Sequence, residues 1–183
     1  QPRRTPTVVA TSYVANALLD TFELTGNPEL LRIARSSCDF VLKDLNRTSD
    51  AHGDFCFSYS PLDQTQIYNA SLLGSRLLLR LFTHTHEEHL KTTALQSVRY
   101  CCRAQRSDGA WTYGTLPFHQ WIDNFHSGFN LECLHDIMAY SGDYSFSEAL
   151  EKGKKFYFGN FFTELGECKF YNDRLYPIDI HAP

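Results

Sequence analysis

The chain has 183 residues, 43% hydrophobic and 14% aromatic, which is enough apolar material for a substantial core, and nothing in the composition suggests disorder. Formal net charge is -4 with both signs interspersed, and the only basic cluster is Arg3-Arg4, so nucleic acid is not an expected partner. No apolar run of about 18 residues could span a bilayer, and the first residues lack a signal-peptide pattern.

Taken in chain order, the periodicity predicts six helices in three hairpins. The first helix covers residues 8–25, with Ala15, Leu18, Leu19 and Phe22 on one stripe. Gly26 stops it, Asn27 caps the next helix, and Pro28 suits that helix's first position. This second helix, 28–45, carries Leu31, Ala34, Cys38, Val41, Leu42 and Leu45 on one face. The second hairpin is predicted over 66–83 and 87–105. Its first helix is apolar around much of its circumference through Leu72, Leu73, Leu77, Leu78, Leu79, Leu81 and Phe82, so it is expected to pack on several sides. The third hairpin is predicted over 122–140 and 146–162, divided by Gly142-Asp143, with Ser145 and Glu148 as a capping box.

Each hairpin ends in a glycine-aromatic turn: Gly53-Asp54-Phe55-Cys56-Phe57, Asp108-Gly109-Ala110-Trp111, and Gly166-Glu167-Cys168-Lys169-Phe170-Tyr171. These recur about 57 residues apart. Two helices fit between successive turns and little else does. The repeats fall at about 8–61, 62–118 and 119–173 within one domain. Alternation of an enclosed helix with an amphipathic one is what two concentric layers of helices require. The reading is all-α: an incomplete toroid of three hairpins, expected to be a piece of a longer ring or an open half-ring. Uncovered hairpin faces at 8–25 or 146–162 would then favour self-association.

The segment Gln105-Arg106-Ser107-Asp108-Gly109-Ala110-Trp111 resembles the Gln-Trp repeat of α/α-toroid proteins. That superfamily holds terpenoid cyclases and prenyltransferase β-subunits, with related barrels in carbohydrate epimerases, glycoside hydrolases and polysaccharide lyases. Only the middle turn carries the full motif, and no Asp-x-Asp-Asp acid motif is present. The turn wording together with Trp121-Ile122-Asp123-Asn124-Phe125-His126-Ser127-Gly128-Phe129 also resembles uncharacterised bacterial proteins associated with surface polysaccharides. Some of those carry the name δ-aminolevulinic acid dehydratase. That enzyme is a (β/α)8 barrel with paired catalytic lysines, and this sequence has neither the alternating strands nor such lysines, so the name is read as misapplied. The resemblance implies a carbohydrate-processing α/α-toroid.

Anchoring the repeats on Tyr59, Tyr113 and Tyr171 gives a second register. Asn69 and His181 follow their tyrosines by ten residues, and His126 follows Tyr113 by thirteen. In a concentric helical barrel these inner-helix starts converge on one mouth, where helix dipoles favour an anionic or polar ligand. His126 is the expected acid or base, with Asp123 orienting it or sharing the proton transfer. Asn69, Asp63, Gln66, His119, Trp121, Asp179 and His181 are the expected substrate-binding groups around it. Aromatic faces with carboxylates and amides between them suit a sugar. They equally suit a peptide.

Structural readings stand beside these. Asn69 and Asp123 also suit helix N-caps, the turn aromatics suit wedges between hairpins, and His126 suits a hydrogen-bonded core histidine. The sequons at Asn46 and Asn69 are chance triplets on this reading. The six cysteines show no CxxC and are read as reduced thiols in a cytoplasmic protein. No metal site and no cofactor is expected: His84, His86 and His89 mark a hairpin bend, and Glu132, Cys133, His135 and Asp136 lack a matching ligand elsewhere. Three functions remain open: acid/base carbohydrate chemistry of epimerase or lyase type, a non-catalytic glycan- or protein-binding scaffold, and a terpenoid-cyclase-like activity.

Overall fold

The computed structural model describes Pro2 and residues 4–178. Among the described residues six α-helices form three antiparallel hairpins: α1 (Val8–Thr25) with α2 (Pro28–Lys43), α3 (Tyr68–Thr85) with α4 (Glu88–Arg103), and α5 (Asn124–Ser141) with α6 (Ser147–Asn160). Local chemistry sets several of their ends. The Thr7 hydroxyl accepts from Ala10 N at the start of α1, and Gly26 at φ 68° ends it. The Asn27 side chain accepts from Glu29 N and Pro28 opens α2, as the sequence predicts.

The hairpins stack into two layers. Helices α1, α3 and α5 pack side by side as an inner layer, and α2, α4 and α6 each back their own hairpin partner. Position in this stack explains the residue pattern. Helix α3 lies between α1 and α5 with α4 behind it, so Leu72, Leu77, Leu78, Leu79 and Leu81 are all fully buried. Helix α1 has a neighbour on one flank, and its Val14 and Leu24 are exposed.

Two short antiparallel ribbons sit at turns, β1 (Arg47–Ser49) with β2 (Phe55–Phe57), and β3 (Lys169–Tyr171) with β4 (Arg174–Ile178). Phe55, Phe57 and Trp111 are buried wedges, as expected of turn aromatics, whereas Phe170 and Tyr171 are half-buried. The middle turn forms no ribbon and closes around Trp111 instead. Gly109 there has φ 96°, and a β-carbon on it would meet the Lys152 carbonyl oxygen at 2.3 Å, so only glycine fits against α6.

One expected cap is corrected. Ser145 and Glu148 form no capping box: Asp143 Oδ1 accepts from Ser145 N, and α6 begins at Ser147 after Phe146 without a side-chain cap. The Asx turn takes the amide, and Phe146 is buried, so the helix starts later.

Candidate functional site

The site is assembled from the starts of the three inner helices. Val9 and Tyr13 of α1, Asn69 and Leu73 of α3, and Phe125 and Phe129 of α5 line one recess of about 130 Å³, together with Tyr59, Tyr113 and His126. The same i, i+4 pair near each helix start supplies the wall, which is why positions so distant in sequence meet. Tyr13 and Phe129 approach from α1 and α5 with ring centroids 6.0 Å apart. A neighbouring recess of about 240 Å³ shares Tyr59 and Tyr113 and adds Asp63, Thr65, Ile67 and His119.

Asp123 and His126 form its most organised polar element. Asp123 is the N-cap of α5, 2% exposed, and its Oδ1 accepts from His126 N at 2.8 Å. The same carboxylate holds His126 Nδ1 at 2.9 and 2.7 Å from its two oxygens, and Oδ2 also accepts from Trp121 Nε1 at 2.9 Å. The capping role and the orienting role are thus one arrangement. A ring nitrogen facing a carboxylate carries the proton, so Nδ1 is the donor in neutral imidazole and Nε2 keeps its lone pair. Nε2 has no hydrogen-bond partner among the described residues. The imidazole is 28% exposed, and Tyr113 packs on it with centroids 4.6 Å apart.

Tyr113 is held in turn. Trp121 stacks on it at 4.6 Å and 14°, and His119 meets it edge-on at 5.2 Å. Burial pushes the Tyr113 phenol up, and the nearby Tyr59 and Asp123 add to the effect. Asn69 lies in the first turn of α3 and does not cap it; Ile67 holds the cap position without a side-chain bond. The Asn69 amide is 6% exposed, and its Oδ1 is buried without a partner among the described residues. His119 Nδ1 is in the same condition beside the second recess.

The remaining candidates serve the loops around the site. Asp63 accepts from Tyr59 N, Ser60 N, Ser60 Oγ, Thr65 N and Thr65 Oγ1 at 2.5 to 3.2 Å, so its carboxylate is committed to the loop that carries Tyr59. Burial opposes its ionisation, but these donors outweigh that and hold the carboxyl below the usual range. Gln66 accepts from the Tyr100 hydroxyl at 2.8 Å and ties its loop to α4. Asp179 and His181 fall outside the described residues.

Sequence reasoning missed Tyr13, Phe125 and Phe129, because an aromatic on an inner helix reads as core. Their signal is the repeated i, i+4 pair, visible once helix starts are aligned. Asn46 Nδ2 donates to Pro61 O and Asp63 O, and Asn69 is buried, so neither sequon presents a free amide. Glu132 and Asp136 pair with Arg76, His84 bonds Glu23, and among the described residues no group of three or more potential ligands gathers for a metal. Cys38, Cys56, Cys101 and Cys133 are buried thiols, and burial pushes Cys38 and Cys133 up to about 12. Among the described residues no helix is long and apolar enough to cross a membrane. A separate apolar groove of about 440 Å³ lies between α5 and α6 along Leu131, Leu150, Phe158 and Phe162, at the second of the two faces, 8–25 or 146–162, for which self-association is expected.

No protein-family model matches the chain, and no curated protein matches it in sequence. Solved structures do. A D-mannose isomerase aligns at TM-score 0.74 and 13% identity, over 96% of this chain and 50% of its own. The cellobiose 2-epimerase of Spirochaeta thermophila aligns at TM-score 0.74 and 14% identity, over 93% and 47%. The unsaturated glucuronyl hydrolase of Bacillus sp. GL1 aligns at TM-score 0.65 and 16% identity, over 94% and 50%. The fold is an α/α-toroid. The chain spans about half the length of these structures. The likeness is one of fold and brings no support to the dehydratase name.

Proposed function

We propose that this toroid segment processes carbohydrate at the inner-helix mouth, with His126 as the group that moves a proton. The observation that carries the reading is the fixed imidazole: Nδ1 is anchored 2.7 Å from a buried carboxylate, which leaves Nε2 available in a recess walled by aromatic rings. Asp123 stabilises the imidazolium that forms when Nε2 accepts a proton. Tyr113 and Tyr59 present phenols that can donate to a sugar oxygen, and Asn69 offers an amide oxygen that lacks a partner among the described residues. Names of isomerase, epimerase, hydrolase and lyase among the structural neighbours agree with a sugar ligand.

Proton abstraction next to a carbonyl fits this set better than hydrolysis. A glycosidase needs two carboxylates flanking the bond. Asp63 is committed to its loop and Asp123 to His126, so neither is free for that role. A volume of about 130 Å³ is below the range of sites that enclose a whole ligand, so the recess holds one ring or one end, and the adjoining recess takes the next. Terpenoid-cyclase chemistry is less favoured, because a histidine-carboxylate pair and an unpaired amide oxygen share the aromatic wall.

The test is solvent-deuterium wash-in followed by proton NMR on a panel of free aldoses and short oligosaccharides. Exchange at the carbon next to the carbonyl by the wild type, and its loss in His126→Ala, is the expected result. Binding without exchange would favour the scaffold reading, which the stacked Tyr113 and Trp121 faces make the second choice.

A further inference from the structure

The mouth carries a sign of charge that helix geometry alone does not predict. Three inner-helix starts would favour an anion, since each contributes about half a positive charge. Much of that is already answered in this chain. Val8 N donates to Tyr59 O, Ala10 N to Thr7 Oγ1, and His126 N to Asp123 Oδ1. Only α3, of the three, begins without a side-chain cap.

Against that remainder stands a full carboxylate at Asp123, directly behind His126 and almost wholly buried. Among the described residues no lysine or arginine lines either recess. The basic group one helical turn beyond Leu73, Arg76, is engaged by Glu132 at 2.9 Å and Asp136 at 3.4 Å, two carboxylates to one guanidinium. Five aromatic residues, Tyr13, Tyr59, Tyr113, Phe125 and Phe129, line the recess, and aromatic ring faces are electron-rich. His126 Nε2 and the buried Asn69 Oδ1 are acceptors that await a partner, and the Tyr13, Tyr59 and Tyr113 hydroxyls of the same recess can accept as well as donate.

We infer that the recess selects a sugar bearing a protonated amine, takes the neutral sugar less well, and rejects the corresponding uronate. This rests on the carbohydrate reading above and names its substrate class. A cation over the rings gains from their quadrupoles and from Asp123, and its N–H groups match the waiting acceptors. A sugar carboxylate meets a like charge and finds no basic partner.

The experiment is calorimetric titration near neutral pH with matched trios: hexose, hexosamine and hexuronate in gluco and galacto configurations. The expected order is hexosamine, then hexose, then hexuronate, with about tenfold or more between first and last. Asp123→Asn should collapse that spread, and Tyr113→Leu should weaken the hexosamine more than the hexose, with thermal melts confirming that both variants fold. Uronate binding equal to or tighter than the hexose in wild-type protein overturns the inference and leaves the carbohydrate reading standing. Absence of binding by every member of both trios overturns the carbohydrate reading itself.

Discussion

The motif turn at Gln105 to Trp111 and the mouth at Tyr113 to His126 are adjacent in sequence and opposite in character. In the turn, polar groups are matched: Gln105 Nε2 donates to Gly109 O and Ala149 O, Trp111 Nε1 donates to Cys101 O, and Asp108 accepts from Ala110 N. Trp111 is 3% exposed and presses on Gly153, where a β-carbon would meet its ring at 2.9 Å. In the mouth, by contrast, Asn69 and His119 keep buried atoms without partners among the described residues, and His126 keeps an open nitrogen beside half-buried rings. Saturation with tight packing fastens the second hairpin to the third. Unspent hydrogen-bonding capacity is what a ligand can use.

The largest expected effect falls on the turn. Trp111→Ala should cost about 3 to 5 kcal/mol, read as a fall in the thermal midpoint, because it removes a buried wedge and leaves the Cys101 carbonyl without its donor. A mild loss would mean that the hairpins are held by their helix faces alone. Next comes Gly109→Ala, which must move the Lys152 carbonyl and hold an L-residue at φ 96°. About 2 to 4 kcal/mol is expected in denaturant titration, with the mouth unchanged in ligand binding once the protein is folded.

This division also explains what could be read from the residues alone. Asn27-Pro28 and Gly26 act through their own neighbours, so the first hairpin's bend and its caps are legible locally. The apolar circumference of α3 points to a helix enclosed on several sides, and it is. Ser145 and Glu148 have the spacing of a capping box, but spacing is blind to Asp143, which captures the Ser145 amide first. The mouth is legible where the tyrosine register points, at Asn69 and His126, while the third position of that register, His181, lies outside the described residues. Its aromatic wall is not, because Tyr13, Phe125 and Phe129 look like core residues until three helix ends are known to meet. Asp63 and Gln66 show the converse: polar residues beside a site that are occupied in building its loops.

A smaller effect sharpens the comparison through pH. Burial disfavours the ionised form of Asp54, but hydrogen bonds from Arg99 and Arg103 outweigh it and hold the carboxyl below its ordinary value. Asp63 behaves likewise through its loop donors. A carboxyl depressed in the folded state contributes stability that is fully present above the unfolded pKa of about 4 and is lost as pH falls through the folded value. Stability should therefore be level from neutral pH to about 5 and then decline on acidification. Asp54→Asn should lower the plateau by about 1 to 2 kcal/mol and flatten the decline, since the group that titrates is gone. An unchanged acid limb in that variant would assign the decline to other carboxyls.

The smallest effects on stability belong to the mouth, where the effect on ligand should be greatest. His126→Ala removes one bond to Asp123, but Trp121 Nε1 and the residue-126 backbone amide remain on that carboxylate, so the loss should stay near about 1 kcal/mol. Asn69→Ala goes further. The substitution deletes a buried oxygen that has no partner among the described residues, and its desolvation penalty with it, so the thermal midpoint should stay within the range of about 0.5 kcal/mol or rise. Sugar binding should weaken in both variants. The decisive pairing is a melt and a titration on the same preparation: if Asn69→Ala destabilises the fold as a core residue would while leaving binding intact, the unpaired amide oxygen serves packing, and the contrast between saturated turn and unspent mouth fails at its clearest point.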